Sequence, residues 1–214
     1  SDEMGDNLPV VALGTGRTVV EIAAGWDYTC ARLDNGSVKC WGYNGYGNLG
    51  LGDTSNRGDS LDETGDSLPV VDLGTDKTAL AIAAGAYHTC AVLNDGGLKC
   101  WGYNGYGGLG VGDNIQRGDG INEMGDNLPI VDLGTSRTAV SVTAGLYYTC
   151  ARLDNETTKC WGYNGYGQLG LGHTTYLGTS PGDMGDSLLA VSLGTNRFAL
   201  QISTFNYQDR KSVV

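Results

Sequence analysis

Short stretches of alternating apolar and polar residues recur along this chain and determine its predicted secondary structure. In residues 20–25, Val20, Ile22 and Ala24 fall on one face of an extended segment. This period of two is typical of a half-buried β-strand. The pattern returns twice at intervals of 60 residues, in the sets Leu80, Ile82, Ala84 and Val140, Val142, Ala144. Each segment is therefore predicted to form the first strand of a repeated unit.

Three further strands are predicted in each unit. Residues 28–33 and 37–41 flank the turn Asp34-Asn35-Gly36, and this spacing predicts an antiparallel hairpin. Residues 68–73 form another apolar stretch, with residues 128–133 as its copy. Four strands without a helical stretch between them predict an all-β fold, in which each unit is one four-stranded antiparallel sheet. Such sheets repeated around an axis are the blades of a β-propeller.

The repeat unit is 60 residues long, without insertions or deletions. The octapeptide C-W-G-Y-N-G-Y-G at positions 40–47 recurs at 100–107 and at 160–167. We predict a single repeat array over residues 1–214, with repeats at 19–78, 79–138 and 139–198 and an incomplete fourth at 199–214. The array amounts to about three and a half blades.

Two motifs in each repeat resemble those of a known family. They are A-G-x-x-Y-T-C-A, beginning at Ala24, and W-G-x-N-x-x-G-x-L-G-x-G, beginning at Trp41. Together they resemble the regulator-of-chromosome-condensation repeat. The resemblance implies a β-propeller with one blade per repeat, usually of a seven-bladed ring. His88 stands where the family often has histidine, whereas Tyr28 and Tyr148 stand there in the other copies.

The chain departs from that family in its cysteine pairs, in its blade number and in residues 202–214, which lack the expected cysteine. Three and a half blades are too few to close the usual ring, so open strand edges are expected. Either further blades belong to the same polypeptide, or copies of the chain complete one another. A ring of two halves and a head-to-tail filament both fit this expectation.

The six cysteines form three pairs, one in each predicted hairpin: Cys30 and Cys40, Cys90 and Cys100, Cys150 and Cys160. If the turn is centred on Asn35, the members of a pair lie opposite each other, close enough for a disulfide. Structural zinc sites instead bring four closely spaced ligands together, so zinc is disfavoured, and buried free thiols are the remaining alternative. Three disulfides indicate an oxidising compartment.

Two glycosylation sequons lie in the predicted hairpin turns, at Asn35 and Asn155. Together with the cysteine pairs, they predict a secreted or cell-surface glycoprotein. The sequence contains no run of 18 apolar residues, so membrane insertion is not expected.

The formal net charge of −11 argues against nucleic acid and against anionic membranes as partners. The sequence also lacks a nucleophile elbow, a zinc-protease motif and a phosphate-binding loop, so a non-catalytic protein without an essential cofactor is expected. Repeated acidic loops could hold calcium through carboxylate oxygens, and the alternative is a solvated acidic surface. The candidate ligands are Asp53, Asp59, Asp62, Asp113 and Asp119.

Tyrosine occupies the same two positions of each repeat, in the set Tyr43, Tyr46, Tyr103, Tyr106, Tyr163 and Tyr166. Tyrosine is common in protein interfaces and in glycan platforms, because it offers a flat apolar ring with a polar tip. These residues are therefore candidate binding residues, and covering the strand ends is the structural alternative. Trp41, Trp101 and Trp161 are expected to pack between blades.

These observations predict an extracellular, non-catalytic scaffold or protein-interaction module that assembles with copies of itself through open blade edges. One alternative is a lectin-like or calcium-binding ligand module, with glycans as possible ligands. Another, implied by the family resemblance, is a soluble propeller that regulates or inhibits a partner protein. Nucleotide exchange and chromatin binding, known in the family, are not expected of an acidic, secreted chain.

Overall fold

The structure, a computed structural model, describes residues 10–204. Nine β-strands lie in this part of the chain: β1 (Val19–Ala24), β2 (Tyr28–Leu33), β3 (Val38–Gly42), β4 (Ala79–Ala84), β5 (His88–Leu93), β6 (Leu98–Gly102), β7 (Ala139–Ala144), β8 (Tyr148–Leu153) and β9 (Thr158–Gly162). They form three separate antiparallel sheets, in the orders β1–β2–β3, β4–β5–β6 and β7–β8–β9. The all-β prediction is confirmed.

The described residues contain only short helices, all of the 3-10 type: Leu61–Glu63, Gly65–Ser67, Gly125–Asn127 and Gly185–Ser187. None of the helices in residues 10–204 is long and apolar enough to span a membrane. The fold therefore rests on the sheets and on the loops that join them.

The predicted hairpin is present in each sheet. In the first, Cys30 pairs directly with Cys40 and Thr29 with Trp41. The turn between β2 and β3 places Gly36 at a φ of 78°, which glycine adopts without steric cost. The sulfur atoms of the three facing cysteine pairs are joined as disulfides: Cys30–Cys40, Cys90–Cys100 and Cys150–Cys160.

The alternation predicted for the first strand of each repeat is interrupted. The pairing of β1 with β2 shifts between Val19 and Glu21, so Val20 is an extra residue in a β-bulge. Val20 and its equivalents Leu80 and Val140 are consequently exposed, whereas Ile82 is buried. The prediction that Val20 and Ile22 share one face with Ala24 is therefore wrong at Val20.

Each blade has three strands, so the predicted fourth strand at residues 68–73 is also wrong. Its backbone runs beside β3 but makes one ladder bond, from the Val71 amide to the Val38 carbonyl at 2.9 Å. Pro69 lacks an amide hydrogen and cannot extend a ladder. In the third repeat leucine replaces this proline, and there Ala190 forms a β-bridge with Lys159.

Neighbouring repeats share their hydrophobic cores. One cluster combines Cys30 and Leu49 of the first repeat with Ile82 and Trp101 of the second. A second cluster joins the second and third repeats through the equivalent residues, including Cys90, Leu109 and Trp161. The interface between repeats, called here the joint, therefore occurs twice with the same composition.

Polar contacts reinforce each joint. The buried Lys99 donates from Nζ to the carbonyls of Leu73 (3.0 Å) and Gly125 (2.7 Å), and Lys159 repeats this arrangement. Asp126 accepts bonds from the amide and hydroxyl of Thr75, which hold the pKa of its carboxyl below the usual value. These bonds fasten the segment after each blade to the blade that follows.

The boundaries predicted for the repeats stay a prediction, although each first strand begins at residue 19, 79 or 139. The incomplete fourth repeat is described only as far as Thr204, and its remaining residues lie outside the described part. Ile202 packs against a cluster formed by Cys150, Cys160 and Leu169. The Thr204 hydroxyl lies 2.7 Å from that of Thr143.

Candidate functional site

Aromatic side chains from all three repeats meet at the end of the sheets where β1 and β3 stop and β2 begins. Neighbouring ring centroids lie 5.0–6.5 Å apart, mostly in tilted or edge-to-face pairs. We call this surface the tyrosine face, and its members are Trp26, Tyr43, Tyr46, Tyr87, Tyr103, Tyr106, Tyr147, Tyr163, Tyr166 and Tyr176. Edge-to-face geometry is the arrangement that aromatic quadrupoles favour.

The same ring contact crosses both joints. Tyr46 meets Tyr103 at 5.1 Å, and Tyr106 meets Tyr163 at 5.1 Å. Tyr87 connects the first and second repeats, with Tyr46 at 5.0 Å and Tyr43 at 6.0 Å. The face is therefore continuous across the array.

The backbone after β3 places the first tyrosine of each repeat. The Tyr43 amide donates to the carbonyl of Asp27 at 2.8 Å. The buried Asn44 then fastens the loop, since its Nδ2 donates to the Asp53 carbonyl (2.8 Å) and its Oδ1 accepts from the Leu49 amide (2.9 Å). Asn104 and Asn164 form equivalent bonds. A buried asparagine in each repeat thus fixes the loop that carries the rings.

A glycine beneath the ring makes the position of Tyr43 possible. A Cβ atom built on Gly45 would lie 2.1 Å from the Tyr43 hydroxyl oxygen, and Gly105 stands in the same relation to Tyr103. The ring therefore lies flat across the turn. The repeated G-Y-G sequence serves to place these rings.

Most members of the face are half-buried, whereas Tyr166 is 88% exposed. Burial raises the pKa of Tyr87 above its usual value, and the nearby Asp27 carboxylate raises it further. Tyr87 therefore keeps its hydroxyl proton at neutral pH. Each tyrosine of the face offers a hydroxyl group above an apolar ring. Such a surface suits contacts with proteins or sugars.

The sequence pattern identified six members of the face and missed Trp26, Tyr87, Tyr147 and Tyr176. Tyr87 and Tyr147 are equivalent positions, but the first repeat has Asp27 there, so strict repetition fails. A comparison of the turns between the first two strands of each repeat could have found them. Tyr176 has no aromatic equivalent, because Asn56 and Gln116 stand at its position.

The predicted calcium ligands are not brought together. Asp53 bonds to the Arg57 guanidinium at 2.6 Å, and Asp113 bonds to Arg117 at 2.7 Å. Asp119 accepts a bond from Gln116, while Asp59 and Asp62 are exposed on the loop. Within residues 10–204, no group of three histidine, cysteine or acidic residues could hold a metal ion. Calcium binding stays a prediction that this geometry does not favour.

The histidine singled out by the family resemblance lies inside the joint. His88 is fully buried, its Nε2 is 2.9 Å from the Thr149 hydroxyl, and its carbonyl accepts a bond from the Tyr28 hydroxyl at 2.6 Å. Burial lowers the pKa of His88 to about 4. The imidazole is therefore neutral and connects successive blades.

The predicted glycosylation sites are exposed in the hairpin turns. The Oδ1 atoms of Asn35 and Asn155 accept bonds from the hydroxyls of Ser37 and Thr157, both at 2.7 Å. Their side chains lie at the surface, opposite the end of the sheets that bears the tyrosine face. Glycans at both sites stay a prediction.

Three-stranded blades joined by recurring interfaces define a β-propeller repeat protein. A family model of the regulator of chromosome condensation (RCC1) repeat matches residues 19–48, 80–107 and 139–168. A second family model of the same repeat matches residues 35–92. The chain belongs to this family.

The ultraviolet-B receptor UVR8 of Arabidopsis thaliana is 33% identical over 209 residues, which are 95% of this chain and 40% of that protein. Human WBSCR16 has a similar structure, with a TM-score of 0.68, 16% identity and coverage of 94% of this chain and 46% of that one. Prp20p of Saccharomyces cerevisiae gives a TM-score of 0.64 with 18% identity, covering 88% of this chain and 42% of that one. The chain thus spans less than half the length of these relatives.

Proposed function

We propose that the chain is an extracellular, non-catalytic scaffold and protein-interaction module that assembles with copies of itself. One observation carries this proposal. Ile22 is 64% exposed, whereas Ile82 at the equivalent position is 5% exposed because the preceding repeat covers it. Within residues 10–204, the first repeat therefore presents an apolar joint surface of the kind that is buried twice inside the array.

Two further features support the extracellular part of the proposal. Three disulfides are expected to persist in an oxidising compartment, and both sequons are exposed. The net charge of −11 supports a protein partner over nucleic acid. The non-catalytic part is supported by the buried ionisable side chains Lys99, Lys159 and His88. Each of them forms a hydrogen bond across a joint and so has a structural role.

The test is the native mass, measured by sedimentation velocity over a wide range of protein concentrations. Multiples of 22.4 kDa should appear as the concentration rises. The Ile22→Lys variant should shift the equilibrium toward monomer, because it places a charge in the joint surface. Leu80→Lys is the matched control, since Leu80 is similarly exposed (56%) but belongs to a repeat that is already covered. A wild-type protein that stays monomeric throughout would overturn the proposal.

The tyrosine face favours a second function, the binding of a partner protein or a glycan. Ten aromatic side chains supply apolar surface, and the nine tyrosines among them add hydroxyl donors. A regulatory or inhibitory role would use the same surface. Prp20p is described as binding Gsp1p and histones, which supports protein partners for such propellers in general. Candidate peptides and glycans can be screened against the wild type and Tyr106→Ala. Binding that the substitution leaves unchanged would remove the tyrosine face from consideration.

A further inference from the structure

Each internal joint contains a contact between a glycine loop and a tryptophan. A Cβ atom on Gly50 would lie 2.6 Å from the Trp101 Nε1 atom, and one on Gly110 would lie 2.5 Å from that of Trp161. Trp101 donates its indole N–H to the Asn48 carbonyl at 3.1 Å. The loop before each joint therefore receives the indole of the next repeat directly against its backbone.

The loop of the third repeat has the same shape. Gly167, Gly170 and Gly172 have φ angles of 76°, 71° and 77°, against 72°, 70° and 74° for Gly47, Gly50 and Gly52. Among the described residues, however, a Cβ on Gly167 or Gly172 would have nothing within 4 Å. By contrast, a Cβ on Gly47 would lie 2.3 Å from the Asp119 amide nitrogen of the next repeat.

The first repeat presents the complementary surface. Trp41 is half-buried, while Trp101 and Trp161 are completely buried. Trp41 borders a cleft of about 280 Å³, which is also lined by Leu13, Thr64 and Leu68. This cleft lies where the glycine loop of a preceding repeat would sit.

One segment of the chain stands in the way of a direct head-to-tail contact. Residues 190–204 are the equivalents of residues 10–24, displaced by 180 positions. Ile202 therefore takes the place on the third repeat that Ile22 of another copy would need. Residues 10–24 are packed more tightly at their start than residues 190–204. Leu13 is 8% exposed in its cluster, whereas the equivalent Leu193 is 46% exposed.

We propose that two copies pair head to tail by replacement. Residues 10–24 of one copy displace residues 190–204 of the other, and Trp41 then lies against the Gly167–Gly172 loop as in the internal joints. This inference rests on the proposed self-association and identifies its surfaces. The segment 190–204 acts as an intramolecular competitor that limits assembly. Because the contact is heterologous, each added copy leaves one free surface at each end, and assembly continues to a ring or a filament.

Equivalent substitutions in the two competing segments should have opposite effects. Ile22→Lys weakens association, whereas Ile202→Lys loosens the competitor and lowers the apparent dissociation constant by about tenfold. Thr204→Ala is a milder second variant, since it removes the hydroxyl contact with Thr143 and keeps the bond that the Thr204 amide donates to the Thr143 hydroxyl. Sedimentation velocity on the full chain gives the dissociation constants, and circular dichroism confirms that each variant is folded.

A mixing experiment tests the direction of the contact. Gly167→Asn should raise the dissociation constant by about tenfold or more, because the new side chain meets backbone of the second copy. Gly182→Asn is the matched control, since Gly182 also has open space and Asn122 stands at the equivalent position with a φ of 67°. In an equimolar mixture of the Gly167→Asn and Ile22→Lys variants, the former still has an intact Ile22 surface and the latter an intact Gly167 loop. These two surfaces can pair once, so the mixture should form dimers only.

The outcomes separate this inference from the proposed function. Self-association that Ile202→Lys and Thr204→Ala weaken, or that Gly167→Asn leaves unchanged, would overturn the replacement and leave the scaffold proposal standing. Monomers of the wild type and of Ile202→Lys at every concentration would overturn both. A monomeric wild type with an associating Ile202→Lys variant would support the competitor and contradict the scaffold.

Discussion

Trp101 donates its indole N–H to the carbonyl oxygen of Asn48, 3.1 Å away in the preceding repeat. Trp161 forms the same bond with Gly108 at 3.0 Å. A single tryptophan thus fastens each blade to its predecessor, both by hydrogen bonding and by close packing on a glycine. Stability should therefore depend on this residue wherever the joint is complete.

Trp101→Ala should lower the free energy of unfolding by about 3–5 kcal/mol, because it leaves a large cavity in a closed joint. Trp41→Ala should cost clearly less, since Trp41 is half-buried. Urea denaturation of the two variants measures the difference. Equal losses would mean that the joints contribute little beyond the packing within each blade.

The disulfide of the second blade can be removed without adding charge. The double variant Cys90→Ala, Cys100→Ala should lose about 2–3 kcal/mol, the value expected when a bridge closes a loop of this length. The oxidised wild type is the reference, and the reduced wild type, which lacks all three bridges, should be less stable than the double variant. A double variant as stable as the oxidised wild type would show that the hairpin register alone holds these strands.

His88 should make stability depend on pH. Its pKa is lowered from 6.5 to about 4 by burial, so the unfolded chain binds a proton more readily than the folded one. The stability that His88 contributes is therefore complete above pH 6.5 and is lost as the pH falls toward 4.

The natural control for His88 is tyrosine, which occupies the equivalent positions Tyr28 and Tyr148. Between neutral pH and about pH 4.5, the wild type should lose about 2 kcal/mol more than His88→Tyr. Unfolding in urea at several pH values measures both proteins. Parallel pH profiles would contradict a neutral, buried imidazole.

Both sequons should carry glycans when the chain passes through a eukaryotic secretory pathway. Glycosidase treatment should lower the mass of the secreted protein by the mass of two glycans. In the Asn35→Gln or Asn155→Gln variant, treatment should lower it by the mass of one. Gly36 remains next to Asn35 in the variant, so the turn is retained. A mass that does not change on treatment would count against glycosylation at these turns.

The local sequence was enough to predict three strands of each repeat, the hairpins and the cysteine pairing. Alternation with a period of two and a turn centred on Asn35 are local properties, and they place Cys30 opposite Cys40 without reference to the rest of the chain. Because the repeat is 60 residues long throughout, the same prediction applied to the equivalent residues of the other blades. The repeated glycine and tyrosine positions were identified in this way too.

Other features depended on how the repeats pack. The bulge at Val20 and the single bond of Val71 arise from pairing with neighbouring strands, which apolar alternation does not report. Trp41 and Trp101 have the same immediate neighbours in sequence, yet within residues 10–204 Trp101 is completely buried against the repeat before it whereas Trp41 is half-buried. Tyr87 and Tyr147 join the tyrosine face because successive repeats bring their rings within 6.5 Å. Local sequence thus determined each blade, while burial and the tyrosine face were decided by contacts about 60 residues apart, which only the tertiary structure contains.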